Sequence, residues 1–345
     1  MYTLSPTDID NGGEFFRKLN ANFAEAANPQ LSHTDAECRT RFIAEMNKKA
    51  ALLGMTGTTF YDPAGNQPVT VYRPNYQTDG YPQAFYSSEA NVMTAIDALR
   101  MMVYASGFKG INDAWNIRQF TLTYRNGTTT KTATVKSSVY NNSTLQTSLD
   151  ALMASYDILG GKTGSMMFEP LWANTLINIV RSKATGKVYA VVDFSTTTTR
   201  TVSDNKWIDT KKILDNVDAG GAAPSFSQGG ACVIELPTIN PALLNRASIS
   251  TLFEHNKTDT LYPASITKIM TGILLCENVP NLEQMVTVHE SDRQPPTGTN
   301  FEAGDVLRLR ELLECLMTES SNTSAQVIAR VVGGILLDKD AIVLE

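Results

Sequence analysis

A glycine- and alanine-rich stretch near the middle of the chain limits how the sequence can fold. Residues 218–230 read Asp-Ala-Gly-Gly-Ala-Ala-Pro-Ser-Phe-Ser-Gln-Gly-Gly, which offers few side chains to a core. Such a composition is typical of a flexible linker. We therefore expect two halves, residues 31–217 and 231–345, joined by this linker.

The overall composition indicates a globular protein. The 345 residues are 42% apolar and carry a net charge of −6 without a basic block, which excludes wholesale disorder and argues against nucleic-acid binding. The four cysteines and three histidines show no metal-ligand spacing, so we predict neither a metal nor another cofactor. No apolar run reaches the roughly 18 residues of a membrane span.

The N-terminal segment, residues 1–30, is rich in asparagine and is expected to be separate from the rest. The run from Lys18 to Phe23 resembles short segments near the start of some phage tail proteins, and a docking helix or leader arm is the alternative. The polar and acidic start of the chain does not have the pattern of a signal peptide.

Local patterns predict helices mixed with short strands. Thr34 and Glu37 have the spacing of a capping box at a helix start. Asn126-Gly127 is expected to be the two-residue turn of a hairpin whose strands span 120–124 and 128–135. Further helices are predicted over 263–276, 306–317 and 321–332. The fold class is therefore α/β (α+β), with a largely antiparallel sheet.

The segment Tyr262 to Thr271 has the strongest chemical signal. Proline favours the first turn of a helix, so Ser265 is expected in that turn with Lys268 one turn later on the same face. A serine hydroxyl needs a neighbouring base, and a desolvated lysine can have a pKa low enough to act as one. Ser203-Asp204-Asn205-Lys206 matches the same short pattern, but it lies in a polar turn and is interpreted as a chance match.

Two further tripeptides make the pattern more specific. Ser320-Ser321-Asn322 lies in a polar elbow between two predicted helices, where a hydroxyl and an amide could relay a proton and hold a substrate amide. Lys162-Thr163-Gly164 follows two glycines, which allow a substrate backbone to approach closely. A lysine charge and a threonine hydroxyl at that place suit a carboxylate.

With these three elements, the chain resembles the penicillin-recognising serine D-Ala-D-Ala carboxypeptidases, the low-molecular-weight penicillin-binding proteins. The resemblance covers most of the chain, and residues 104–158 are only loosely similar. It implies a β-lactamase/DD-peptidase-like fold, with an antiparallel sheet flanked by helices and a mostly helical subdomain.

The order of the motifs differs from the order in the family. There, Ser-x-x-Lys comes first, Ser-x-Asn second and Lys-Thr-Gly last, whereas here Lys162-Thr163-Gly164 precedes Ser265 and Ser320. The stretch 42–60, which should follow the Ser-x-Asn helix, lies near the N-terminus. We interpret the order as a circular permutation, in which the linker at 218–230 joins the family's usual end to its usual start. The sequence equally permits an exchange of halves between two chains.

The resemblance also implies the role of each motif residue. Ser265 would attack the carbonyl of a D-Ala-D-Ala bond in a peptidoglycan stem peptide, with Lys268 as the base. Ser320 would pass the proton to the leaving D-alanine. The residues expected to bind the substrate are Asn322 at the amide, Lys162 and Thr163 at the carboxylate, Gly164 beside the substrate backbone, and Ser165 together with Ser265 at the oxyanion hole.

Several points remain open at this stage. β-Lactams are expected to acylate Ser265 as substrate mimics, and the substrate implies the cell envelope, in the periplasm or cell wall, on a phage virion, or after release by lysis. A β-lactamase is the second enzyme candidate, although no convincing glutamate-bearing loop is present. A catalytically weak module that binds cell wall within a phage particle is the third candidate.

Overall fold

The computed structural model describes residues 33–65, 89–140, 146–168, 171–197, 206–220, 229–236, 250–294, 298–299 and 301–343. The expected segment 1–30, most of the linker at 218–230 and the serine of the second Ser-x-x-Lys match, Ser203, lie outside these residues. None of the described helices is both long and apolar enough to cross a bilayer.

The described helices and strands alternate along the chain. In chain order the helices are α1 (Asp35–Leu52), α2 (Ala95–Ala105), α3 (Lys109–Trp115), α4 (Gln146–Ser155), α5 (Lys206–Ala219), α6 (Lys268–Asn278), α7 (Leu309–Thr318) and α8 (Asn322–Val343). The strands are β1 (Gln119–Asn126), β2 (Thr129–Lys136), β3 (Tyr156–Phe168), β4 (Leu171–Ser182), β5 (Val188–Thr197), β6 (Gly230–Leu236), β7 (Phe253–His255), β8 (Met285–Thr287) and β9 (Asp305–Arg308).

Two antiparallel sheets organise these elements, in the strand orders β3-β4-β5-β6-β7 and β2-β1-β9-β8. One face of the larger sheet packs against α4 and α5, and the other face packs against the main core, which contains α2, α6 and α7. The prediction of a mixed α/β fold with an antiparallel sheet flanked by helices is confirmed.

Several local predictions are confirmed and others are wrong by a few residues. Thr34 caps α1, and Glu37 completes the capping box. In the hairpin, Asn126 pairs with Thr129, so the turn residues are Gly127 and Thr128 instead of Asn126 and Gly127. The turn moves by one residue because Asn126 takes part in the strand and also bonds to Asp305.

The two helices predicted after Pro263 and Val306 begin later than expected. Residues Ala264–Thr267 form a 3-10 turn, and α6 begins only at Lys268. Val306 lies in β9, where it pairs with both β1 and β8, and α7 begins at Leu309. In each case packing against a sheet replaces the first helical turn that the apolar pattern predicts.

The first and last described helices pack against each other. Cys38 of α1 lies so close to α8 that a Cβ atom added to Gly333 would stand 1.8 Å from the Cys38 carbonyl oxygen. Near this contact, the fully buried Asp292 carboxylate accepts hydrogen bonds from Arg39 of α1 and Arg330 of α8. The two ends of the described chain are therefore tied together by close backbone packing and a buried ion cluster.

This close approach makes Gly333→Ala a test of the packing. In a solvated helix, alanine in place of glycine stabilises by about 1 kcal/mol. Here we expect destabilisation by roughly 1–3 kcal/mol, because the added methyl group must push the two helices apart. Denaturant unfolding measures the difference. Leu52→Ala, at an exposed position of α1, is the control. A Gly333→Ala protein as stable as the parent would contradict the described contact.

Candidate active site

Ser265 and Lys268 lie in direct contact. Lys268 Nζ donates hydrogen bonds to Ser265 Oγ and to the carbonyl oxygen of Ala64, both at 2.8 Å. Side chains three residues apart are aligned in a 3-10 turn, which explains how this turn brings the two together. The turn therefore provides the contact that the sequence pattern predicts, in a different kind of helix.

The Lys268 side chain is fully buried. Removal from water disfavours the charged ammonium group and lowers the pKa of Lys268 to about 7, although the nearby Asp62 carboxylate acts in the opposite direction. A substantial fraction of Lys268 is therefore neutral near pH 7. A neutral amine at hydrogen-bonding distance from a serine hydroxyl can accept its proton.

Strand β3 packs directly against the 3-10 turn that holds Ser265. A Cβ atom on Gly164 would lie 2.9 Å from the Ser265 nitrogen and 2.8 Å from the Pro263 carbonyl oxygen. Thr175 of β4 fixes the same carbonyl with a hydrogen bond of 3.0 Å. Glycine is therefore required at 164 for the strand to reach the nucleophile. The next residue, Ser165, is exposed in β3.

A second serine–lysine contact lies on the same strand. The buried Lys162 Nζ donates to Ser320 Oγ at 2.8 Å and to the Thr163 carbonyl oxygen at 2.9 Å. Lys162 and Gly164 are two residues apart on one strand and so point to the same face. The Ser320 pair therefore stands beside the Ser265 pair. Asn322, at the start of α8, is 7% exposed and follows in the same elbow.

Backbone strain occurs at both serine positions. Ala264, just before Ser265, has φ +48°, and Ser320 has φ +70°. Residues other than glycine rarely adopt this left-handed region, at a cost of roughly 1–3 kcal/mol each. Such strain is concentrated at functional sites because the surrounding structure must impose it.

The structure thus brings together Ser265, Lys268, Ser320, Lys162 and Gly164, with Thr163 and Asn322 beside them. It also adds groups that sequence reasoning missed. The segment Tyr61-Asp62-Pro63-Ala64 lies behind Lys268. The resemblance to the family extends from residue 42 to Pro63 and so includes most of this segment, which was the available signal.

Ser138 is a further residue that the sequence did not indicate. Thr163 Oγ1 donates to Ser138 Oγ at 3.0 Å, and the Ser138 backbone nitrogen donates to the Thr318 carbonyl oxygen at 2.7 Å. The segment that follows β2 therefore lines the Thr163 side of the site. Ser138 falls in the region that is only loosely similar to the family, so no motif marks it.

Two serine–lysine pairs lie beside β3, and a hydroxyl with a neighbouring base is the arrangement that nucleophilic catalysis needs. Residues 240–338 match a family profile described as D-alanyl-D-alanine carboxypeptidase, Peptidase S11. This stretch includes Ser265, Lys268, Ser320 and Asn322, whereas the Lys162 motif precedes it.

A curated relative agrees with this match. The D-alanyl-D-alanine endopeptidase of Haemophilus influenzae is 32% identical over 113 residues, which are 32% of this chain and 35% of the relative. The chain therefore spans about a third of this relative's length. A comparison with solved structures found no match. The two matches support the prediction that the protein is a serine-type peptidase, a hydrolase.

The burial of Lys268 predicts how stability depends on pH. Between pH 7 and 10.5 the unfolded chain keeps a proton on Lys268 that the folded protein does not, so stability rises with pH in this window, by up to about 1.4 kcal/mol per pH unit. Lys268→Met removes this dependence. The variant is expected to gain most relative to the parent below pH 7 and to lose this advantage towards pH 10.

Denaturant unfolding at pH 6, 8 and 10 measures this difference. Lys109→Met, at a position where the side chain is 87% exposed, should leave the pH dependence unchanged. Parallel curves for Lys268→Met and the parent would mean that Lys268 is not buried as described.

Proposed function

We propose that the protein is a serine-type D-Ala-D-Ala peptidase that removes the terminal D-alanine of peptidoglycan stem peptides through an acyl-enzyme on Ser265. The observation that carries this proposal is the presence of two serine–lysine contacts of 2.8 Å on one site, Ser265 with Lys268 and Ser320 with Lys162. The names of the two matches support the choice of substrate bond.

In the first step, neutral Lys268 takes the proton of Ser265 as the serine oxygen attacks the substrate carbonyl carbon. The backbone N–H groups of Ser265 and Ser165 are the proposed donors to the resulting oxyanion. The loss of one such donor typically costs roughly 3 kcal/mol of transition-state stabilisation. The close approach of β3 to the Ser265 nitrogen at Gly164 supports this arrangement, because Ser165 directly follows Gly164 in that strand.

In the second step, the bond between the carbonyl carbon and the nitrogen of the leaving D-alanine breaks. Ser320 donates its proton to that nitrogen and takes up the proton that Lys268 accepted from Ser265. Lys162 holds the Ser320 hydroxyl in place. Thr163 and Lys162 receive the substrate carboxylate, and Asn322 holds the amide on the acyl side. Water then hydrolyses the ester on Ser265. A β-lactam would follow the same first step.

We also propose that the chain is a circular permutation of the family's order. The ends of the described chain support this, because His33 lies 3.2 Å from Asp338 and Arg41 pairs with Asp340 near the end of α8. In the family's order, α8 would run into α1 through a short connection. The proposed permutation places the new chain ends in that connection. The linker lies between α5 and β6, and β6 pairs with β5, so only a short span has to be bridged.

We infer that the site is assembled within a single copy, and an exchange of halves between two copies is the alternative. A substrate in peptidoglycan places the protein outside the cytoplasm when it acts, in the cell envelope or on a phage virion. The alternatives remain a β-lactamase and a wall-binding module. Rapid turnover of a chromogenic β-lactam would indicate the β-lactamase. Binding of peptidoglycan without any acylation would indicate the binding module.

Acylation is tested by intact-mass spectrometry after incubation with benzylpenicillin. We expect one penicilloyl adduct on the parent protein and none on Ser265→Ala, because the ester needs the Ser265 oxygen. Ser203→Ala, in the chance Ser-x-x-Lys match, is the matched control and should be labelled like the parent. A folded parent protein without an adduct would overturn the proposal.

Recognition of the carboxylate is tested with Thr163→Val. A hydrogen bond to a charged group contributes about 1.5–3 kcal/mol. The ratio of kcat/KM for a D-Ala-D-Ala peptide to that for its C-terminal amide should therefore fall by roughly tenfold or more. Thr132→Val, the same substitution at an exposed position of β2, is the matched control and should leave this ratio unchanged. An unchanged ratio in Thr163→Val would place the carboxylate elsewhere.

A further inference from the structure

We propose that Asp62 is a positioning residue for Lys268: its buried carboxylate, held by Gln326, orders the turn that binds the lysine and sets the pH at which the lysine acts as a base. This inference rests on the proposed function and deepens it. Asp62 is 3% exposed and belongs to the turn that provides the Ala64 carbonyl for Lys268.

The first support is the way in which Asp62 builds this turn. Its Oδ1 accepts a hydrogen bond of 2.8 Å from the Ala64 nitrogen, the residue whose carbonyl oxygen holds Lys268. Asn91 accepts from the Asp62 nitrogen and donates to the Asp62 carbonyl oxygen, and it also reaches Thr267 at 3.1 Å. The carboxylate is thus joined to Lys268 through one residue of backbone.

The second support is the contact with α8. Gln326 Nε2 donates to Asp62 Oδ2 at 3.1 Å, and both side chains are buried. Gln326 lies one helical turn after Asn322, so the face of α8 that lines the site also holds the carboxylate. The Gln326 Oε1 atom is buried without a hydrogen-bond partner among the described residues. Burial of an amide oxygen without a hydrogen bond costs free energy, and an apolar side chain of similar size would avoid this cost. The hydrogen bond from Gln326 to the Asp62 carboxylate is therefore the reason for an amide at this position.

The third support is electrostatic. Burial lowers the pKa of Lys268, and the negative charge of Asp62 acts against this shift. Of the neighbouring elements, β3 carries Lys162, which binds Ser320, and α8 carries the uncharged Gln326, which binds Asp62. The charged residue of α6 itself, Glu277, stands at the far end of the helix, where it binds Lys49. Asp62 is therefore the carboxylate whose position allows it to raise the pKa of Lys268.

The sign of the effect follows from the charge. A nearby carboxylate stabilises the ammonium form, so Asp62→Asn lowers the pKa of Lys268 further. The acylation rate depends on neutral Lys268 and rises with pH through this pKa. The acid limb of the rate–pH profile should therefore move to lower pH in Asp62→Asn, by about one unit or more. The maximal rate should also fall, because the turn loses an ordering contact and the base becomes weaker.

The experiment measures the rate of benzylpenicillin acylation by intact mass between pH 5 and 9. The parent is expected to reach half of its maximal rate near pH 7. At pH 6, the rate as a fraction of the maximum should rise from about a tenth in the parent to about a half in Asp62→Asn, for a shift of one unit. Asp97→Asn is the matched control: Asp97 is equally buried but binds Gly57 and Arg100, so its limb should stay at the parent's pH.

Gln326→Met keeps the proposal testable if Asp62→Asn does not fold. It retains the Asp62 carboxylate but removes the hydrogen bond that fixes its position, so the carboxylate interacts less with Lys268. The acid limb should therefore move to lower pH by less than in Asp62→Asn. A limb at the parent's pH in both folded variants, with only lower rates, would overturn the role of Asp62 and leave the proposed function intact. A parent protein that is not acylated at any pH would instead overturn the proposed function.

Discussion

The packing of β3 against the 3-10 turn at Ser265 is the contact on which the rest of the site depends. Only glycine at position 164 lets the strand reach the Ser265 nitrogen, and Thr175 binds the Pro263 carbonyl oxygen of the same turn. Once the strand lies there, Lys162 is brought to Ser320, and the 3-10 turn directs Lys268 to Ser265. A displaced strand would separate the two pairs and expose Lys268 to water, with the loss of its lowered pKa.

The sequence predicts the site better than it predicts the local structure. Ser265, Lys268, Ser320 and Lys162 meet as the motifs suggest, although the proline-led helix begins as a 3-10 turn. Apolar periodicity does not separate the two helix types, and packing on β3 decides between them. The same limit explains why Val306 lies in a strand, since a short apolar run fits either structure.

Asp62 and Ser138 show what sequence reasoning could not reach. Each contacts a side chain that is distant in sequence: Gln326 donates to Asp62, and Thr163 donates to Ser138. A single buried aspartate or a half-buried serine has no periodic pattern, so only the assembled fold assigns it a place. The order of the motifs, in contrast, is evident in the sequence. The structure adds that α1 and α8 lie side by side.

The most direct test of this account is a crystal structure of the protein after reaction with benzylpenicillin. The account predicts continuous density from Ser265 Oγ to the opened lactam carbonyl, with the ligand carboxylate at Thr163 and with Lys268 and Lys162 provided by the same chain. Density for the ligand at another residue, or a Lys162 that comes from a second copy, would contradict a permuted site assembled within one chain.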